Sequence, residues 1–270
     1  MRVSLVVARG AIPLFGIVAG LCVEPAAAGA LLMDEGAGQI IVTSTFAEAN
    51  KAYDRRGHLI RTPSYGKFEA AGYVEYGVTN WLTVIGEGSA FDFNGSASAY
   101  SLEPAPHYAG AGLGAIGGRI PLGELAGVHF SAQASLRVAS QAAGQFLDFK
   151  VPTQADFRVQ ALRGFEILGW PGFVEAQLGY RTRGQGGDEI RADLTLGLRP
   201  EPELLLMAQS FSAFTPGASA FGGYAAQKFE LSGVYDFNPD WSLQLGALAA
   251  PTGVNSPAEK GLLTAVWRRF

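Results

Sequence analysis

Residues 128–138 read Val-His-Phe-Ser-Ala-Gln-Ala-Ser-Leu-Arg-Val. Val128, Phe130, Ala132, Ala134, Leu136 and Val138 alternate with His129, Ser131, Gln133, Ser135 and Arg137. A period of two puts the first set on one face of an extended strand and the second set on the other, whereas a helix would scatter both around its circumference. A tilted β-strand needs about 9–11 residues to cross a bilayer, and this stretch supplies them.

The alternation recurs. Val174, Ala176, Leu178 and Tyr180 oppose Glu175, Gln177 and Arg181; Ile190, Ala192, Leu194, Leu196 and Leu198 oppose Arg191, Asp193, Thr195 and Arg199. One polar and one apolar face would also suit a soluble two-sheet sandwich, so the connections must discriminate. Strands are expected near 38–48, 65–78, 81–91, 106–120, 125–140, 156–168, 172–183, 189–199, 203–215, 223–237, 240–250 and 261–270. The joins at Thr79-Asn80, Pro121 to Glu124, Gly169 to Pro171, Pro200 to Pro202 and Asn238-Pro239 are short. Those at 49–64, 92–105, 141–155, 184–188, 216–222 and 251–260 are mostly longer and rich in Gly, Ser, Ala or Pro. Short turns alternating with long loops are the asymmetry of an outer-membrane barrel. The expected fold is therefore all-β: an antiparallel transmembrane β-barrel of twelve strands, with ten or fourteen as alternatives, and both chain ends on the periplasmic side. Closure has a strict cause, because an open sheet edge in lipid would strand its N–H and C=O groups at several kcal/mol each.

Composition agrees. Only 16% of residues are charged, while the chain holds 36 Gly, 17 Phe, 9 Tyr and 4 Trp, a mixture suited to twisted, curved sheet. A formal net charge of -4 supplies no basic field for nucleic acid. Trp81, Trp170, Trp241 and Trp267 lie near expected turns or the chain end, where they would form an interfacial girdle or pack an ordinary core.

The chain opens with Arg2 and Arg9, an apolar run from Ala11 to Val23, and Pro25-Ala26-Ala27-Ala28-Gly29-Ala30. This is the build of a secretory signal peptide over residues 1–28, with cutting after Ala28 or as late as Ala30, and residues 29–270 forming the barrel. An uncleaved anchor or a buried helix is the alternative. Cys22, the single cysteine, falls within the leader, and bulky Leu21 before it disfavours lipidation.

The C-terminal Gly-Leu-Leu-Thr-Ala-Val-Trp-Arg-Arg-Phe, residues 261–270, resembles the last strand of bacterial outer-membrane proteins. That resemblance implies recognition of Phe270, with Val266 and Leu262, by the barrel-insertion machinery; Arg268 and Thr264 depart from the pattern. Tyr76-Gly77-Val78-Thr79-Asn80-Trp81-Leu82-Thr83-Val84 resembles a hairpin of the barrels grouped with phenol-degradation MetA-pathway transporters, and Tyr235 to Leu243 is a fainter version. The resemblance implies an envelope barrel with transport activity and no catalytic residue.

No metal-ligand spacing, dinucleotide or P-loop glycine pattern occurs, and no cofactor is expected. His129 and Ser131 share a strand face, as His and Ser do in outer-membrane phospholipase barrels. A lipid hydrolase would need its serine beside lipid, however, and no residue can be assigned to orient the imidazole, so the chain reads as a non-enzyme. The polar-face residues Glu69, Glu75, Glu87, His129, Arg137, Arg158, Glu175, Arg181, Arg191 and Asp193 are expected to face the lumen, where they would either surround water and select solutes or pair and fill the space. The expected function is a narrow or gated channel or transporter for small solutes, with outer-membrane lipid around it. The alternative is a non-conducting envelope or surface protein supporting adhesion or surface-polymer export.

Overall fold

The computed structural model describes residues 29–96, 105–146, 153–183, 187–215 and 223–270. The expected leader, with Cys22, lies outside them. Twelve strands run up and down: β1 (Gly38–Tyr53), β2 (Leu59–Thr79), β3 (Leu82–Gly95), β4 (His107–Leu125), β5 (Val128–Ala139), β6 (Gln154–Ile167), β7 (Trp170–Arg181), β8 (Glu189–Glu201), β9 (Leu204–Phe214), β10 (Ala225–Asp236), β11 (Trp241–Val254) and β12 (Lys260–Arg269). Each pairs antiparallel with its chain neighbours, and β1 pairs with both β2 and β12, which closes the ring. A two-residue strand, Ser256–Pro257, extends the pairing at the C-terminal end of β1. A short helix, α1 (Gln141–Phe146), follows β5.

Gln39 pairs with Arg269, so both ends of the barrel chain sit at one rim. The turns at this terminal rim are short: 80–81, 126–127, 168–169, 202–203 and 237–240. At the far rim the intervals 54–58, 96–106, 140–153, 182–188, 215–224 and 255–259 are mostly longer.

Strand order and number match the alternation, but three expectations need correction. The turn expected at Pro121 to Glu124 is part of β4. Proline can enter there because the register shifts between Pro121 and Gly123, a bulge that relieves the missing donor, and the chain turns instead at Ala126-Gly127. Both turn residues have positive φ, 52° and 75°, as do Leu168 and Gly169, 55° and 81°; this mirror-image turn matches the twist of the flanking strands. Next, the loops expected at 49–64 and 251–260 are largely strand, because β1, β2 and β11 continue beyond their apolar spans. Finally, Trp81, Trp170 and Trp241 are exposed near the terminal rim, but Trp267 points inward, 5% exposed, and donates its indole N–H to Gln244 at 3.1 Å.

The outer surface explains the need for lipid. Leu136, Val138, Phe157, Leu178, Leu231 and Leu262 are each more than half exposed, and exposed large apolar side chains occur on every strand except β3. Leaving a large apolar side chain in water forfeits about 1.5–3 kcal/mol. Ten of them would match or exceed the roughly 5–15 kcal/mol of net stability that a soluble domain has.

Candidate functional site

The interior carries the opposite parity. Ser131, Gln133, Ser135 and Arg137 of β5 are buried while their neighbours face out, and the same phase holds for Asp156, Arg158 and Gln160 on β6. Tight placement brings most of these charges into ion pairs. Lys67 meets Glu69 at 2.7 Å, Arg119 meets Glu75 at 3.2 Å, and Arg137 meets Glu87 at 2.8 Å. A larger network joins β6, β7 and β8. Arg158 contacts Asp156 at 2.8 Å and Asp193 at 3.2 Å; Arg181 contacts Asp156 at 2.7 Å and Glu189 at 3.4 Å. Arg191 and Arg183 also approach Glu189, at 3.7 and 2.9 Å. Desolvating these ions would be expensive singly; mutual pairing and planar guanidinium hydrogen bonds offset that cost.

The structure places the anticipated residues unevenly. Glu69, Glu75, Arg137, Arg158, Glu175, Arg181, Arg191 and Asp193 are buried inside the ring, and the Glu87 carboxylate is nearly so. His129 is different: it lies beside the 126–127 turn, 46% exposed, 3.5 Å from Glu124. Ser131 is fully buried and donates to Gln160 at 2.9 Å, so these two side chains engage separate partners. Arg119, Lys67, Asp156, Glu189, Lys228 and Glu259 belong to the interior too, and sequence reasoning missed them. Asp156 and Glu189 share parity with residues that it selected and could have been found. Arg119 was hidden by the glycine-rich stretch before it and the bulge after it.

Apolar clusters lie on either side of this charged band. Toward the terminal rim, Ile41, Tyr73, Ile85, Leu205, Met207, Val234, Ala265 and Trp267 pack together, with Phe173 against them. Toward the far rim, Tyr65 stacks on Phe93 at 4.9 Å between centroids, and Phe91 approaches Tyr108 at 4.8 Å. Ala143 of α1 completes this second cluster. Ser140 holds the helix there by accepting the Ala143 N–H at 3.0 Å while donating to the Ala111 carbonyl. Nearby, burial opposes charge on Glu259, but Lys228 and Lys67 beside it and the Tyr65 hydroxyl, donating at 2.7 Å, hold its carboxyl below the usual glutamate range.

The segment 29–37 also enters the lumen, which nothing in its sequence pattern announced. It joins the wall at the terminal rim, where Gly36 N–H donates to Gly77 O and Gly77 N–H donates to Ala37 O, each at 2.9 Å. It then crosses the interior: Met33 N–H donates to Thr83 Oγ1 at 2.9 Å, and Arg119 donates to Leu31 O at 3.1 Å. Gly29 N–H reaches Glu175 on β7 at 2.7 Å, and Ala30 is 2% exposed.

No family model matches the chain, and no curated protein matches it at a significant level. Among solved structures, an outer membrane channel from Pseudomonas putida F1 superposes with a TM-score of 0.70, at 14% identity, over 92% of this chain and all of that one. The protein is a transmembrane β-barrel. The NanC porin shares the barrel fold at a TM-score of 0.53 and 8% identity, over 84% of this chain and 98% of that one. At such identities the likeness is one of fold. Among the described residues the barrel has no group of three or more His, Cys, Asp or Glu placed to hold a metal ion.

Proposed function

We propose that this barrel is a narrow channel or transporter for small solutes, constricted by its own N-terminal segment. The observation that carries the reading is the path of residues 29–37 through a charged lumen, tied to the wall at Arg119 on β4 and at Glu175 on β7. Fixed charges along a water-accessible path select solutes by sign and size, and a segment held by a few hydrogen bonds can be displaced where a strand of the wall cannot. Two solved structures that share the fold are a channel and a porin, and this reading carries that role over. The hairpin around Thr79-Asn80 adds the resemblance to MetA-pathway transporter barrels, a finer kinship that belongs to the same proposal. So does recognition of Phe270 by insertion machinery; Phe270→Ala should then lower the yield of barrel reaching the outer membrane, and unchanged yield would remove the idea.

Planar-bilayer recording tests the main reading. The native barrel should give small or intermittent conductance, and a processed barrel lacking residues 29–35 should give larger, steadier steps. Silence from both at every voltage and with charged and neutral solutes would refute a channel. One observation favours a second reading: Arg119, Glu75, Glu175, Asp156 and Gln160 are all no more than 2% exposed, as in a lumen that is filled. A non-conducting surface or envelope protein would then lose adhesion or polymer export on deletion while solute uptake stays unchanged.

A further inference from the structure

Glu175 differs from the carboxylates around it. Glu75, Glu87, Asp156, Glu189 and Asp193 each face an arginine within 4.0 Å. Glu175, 2% exposed, makes no ion pair among the described residues. Its oxygens receive Gln177 Nε2 at 2.6 Å and the backbone nitrogen of Gly29 at 2.7 Å. A buried carboxylate served only by neutral donors is costly, and a cation at either donor position would relieve it.

The Gly29 nitrogen is neutral only while residue 28 is attached to it. Cutting after Ala28 or after Ala30 is equally compatible with the small-residue run at 26–30, yet the two products differ in the lumen. We propose that the leader is cut between Ala28 and Gly29, and that the α-ammonium so formed is the counter-ion of Glu175, pinning the N-terminal segment inside the barrel. The chemistry is amide hydrolysis by a signal peptidase: water supplies hydroxyl to the Ala28 acyl carbon, the C–N bond breaks, and the Gly29 nitrogen leaves protonated while Ala28 departs as a carboxylate.

Sterics support glycine at that position. A Cβ on residue 29 would lie 2.5 Å from Glu175 Oε1 and 2.7 Å from Gln177 Nε2, so a side chain there would push both side-chain ends aside, whereas glycine leaves the carboxylate in place beside the nitrogen. Cutting after Ala30 would instead delete Gly29 and the buried Ala30, leaving Glu175 with Gln177 alone. The inference rests on the leader and deepens the proposed constriction by naming what holds it.

The test uses protein purified from outer membranes. Intact mass and the N-terminal peptide should show a chain beginning at Gly29; a chain beginning at Leu31 overturns the proposal. Reductive methylation of the folded barrel should modify the α-amine at least about tenfold more slowly than in unfolded protein, as expected of a group exposed only on local opening, while exposed Lys260 reacts normally. Glu175→Gln, checked for native heat-modifiable mobility, should remove most of that protection. An α-amine as reactive in the folded barrel as in the unfolded chain sinks the pairing even if that variant fails to fold. Conductance is a separate readout: a protected amine in a silent barrel leaves the pairing standing and the channel refuted, and an unprotected amine in a conducting barrel does the reverse.

Discussion

Replacing Arg119 with Met should expose how dry the lumen is. The guanidinium, 1% exposed, donates to Glu75 Oε2 at 3.2 Å, Tyr73 OH at 3.1 Å, Gln133 Oε1 at 3.1 Å and Leu31 O at 3.1 Å. Met fills similar volume and supplies no donor. Glu75 is left as a buried carboxylate, and breaking a buried pair from one side costs about 3–5 kcal/mol. Glu75→Gln alone leaves Arg119 as a buried cation held only by neutral acceptors and should likewise cost about 3–5 kcal/mol. With both changes no charge is stranded, so the double variant should lie at least about 2 kcal/mol above the sum of the singles in stability. Urea titration of barrels in lipid vesicles, followed by tryptophan fluorescence, reads all four midpoints and slopes. Additivity within about 0.5 kcal/mol would refute the reasoning, because it would mean that water already screens the pair.

Three further outcomes follow from other parts of the barrel. A Cβ on Gly77 would lie 2.1 Å from Asp34 O and 2.6 Å from Met33 O, so Gly77→Ala should push the N-terminal segment off the wall and make it protease-sensitive while the ring stays intact; unchanged protection would contradict that contact. Glu259 ionises below the usual glutamate range, so its contribution to stability is present above that range and fades as pH falls through the lowered value; Glu259→Gln should flatten this acid limb of the urea midpoint against pH, and an unchanged limb would exclude it. Lipid with brominated chains should quench Trp81, Trp170 and Trp241 but spare Trp267, so Trp267→Phe should raise the quenched fraction, and a fall would invert the assigned faces.

The wall was legible because lipid and lumen impose opposite chemistry on alternate residues. Val128 to Val138 shows this fully, and the inward parity of Arg137, Arg158, Arg181 and Asp193 follows from it. Legibility failed where alternation is interrupted. The glycines of 110–118 carry no face information, and the bulge at Pro121 shifts phase, so Arg119 was lost although it organises the interior. Trp267 was misplaced because an indole suits either an interface or a core, and only its Gln244 partner decides. Residues 29–37 follow no period, since a segment crossing a lumen has neither a lipid face nor a water face to obey.

The pairing of β1 with β12 has a consequence for how the molecule is made. Gln39 must meet Arg269, at the far end of the barrel chain, before the ring exists. Every other neighbouring pair of strands can zip from its own hairpin, whereas this seam demands the greatest loss of chain entropy and forms only once the last residues have been delivered. Until then β1 and β12 are open edges, able to bind a helper protein or to aggregate, and the speed of that final stitch should govern the fate of each newly exported copy.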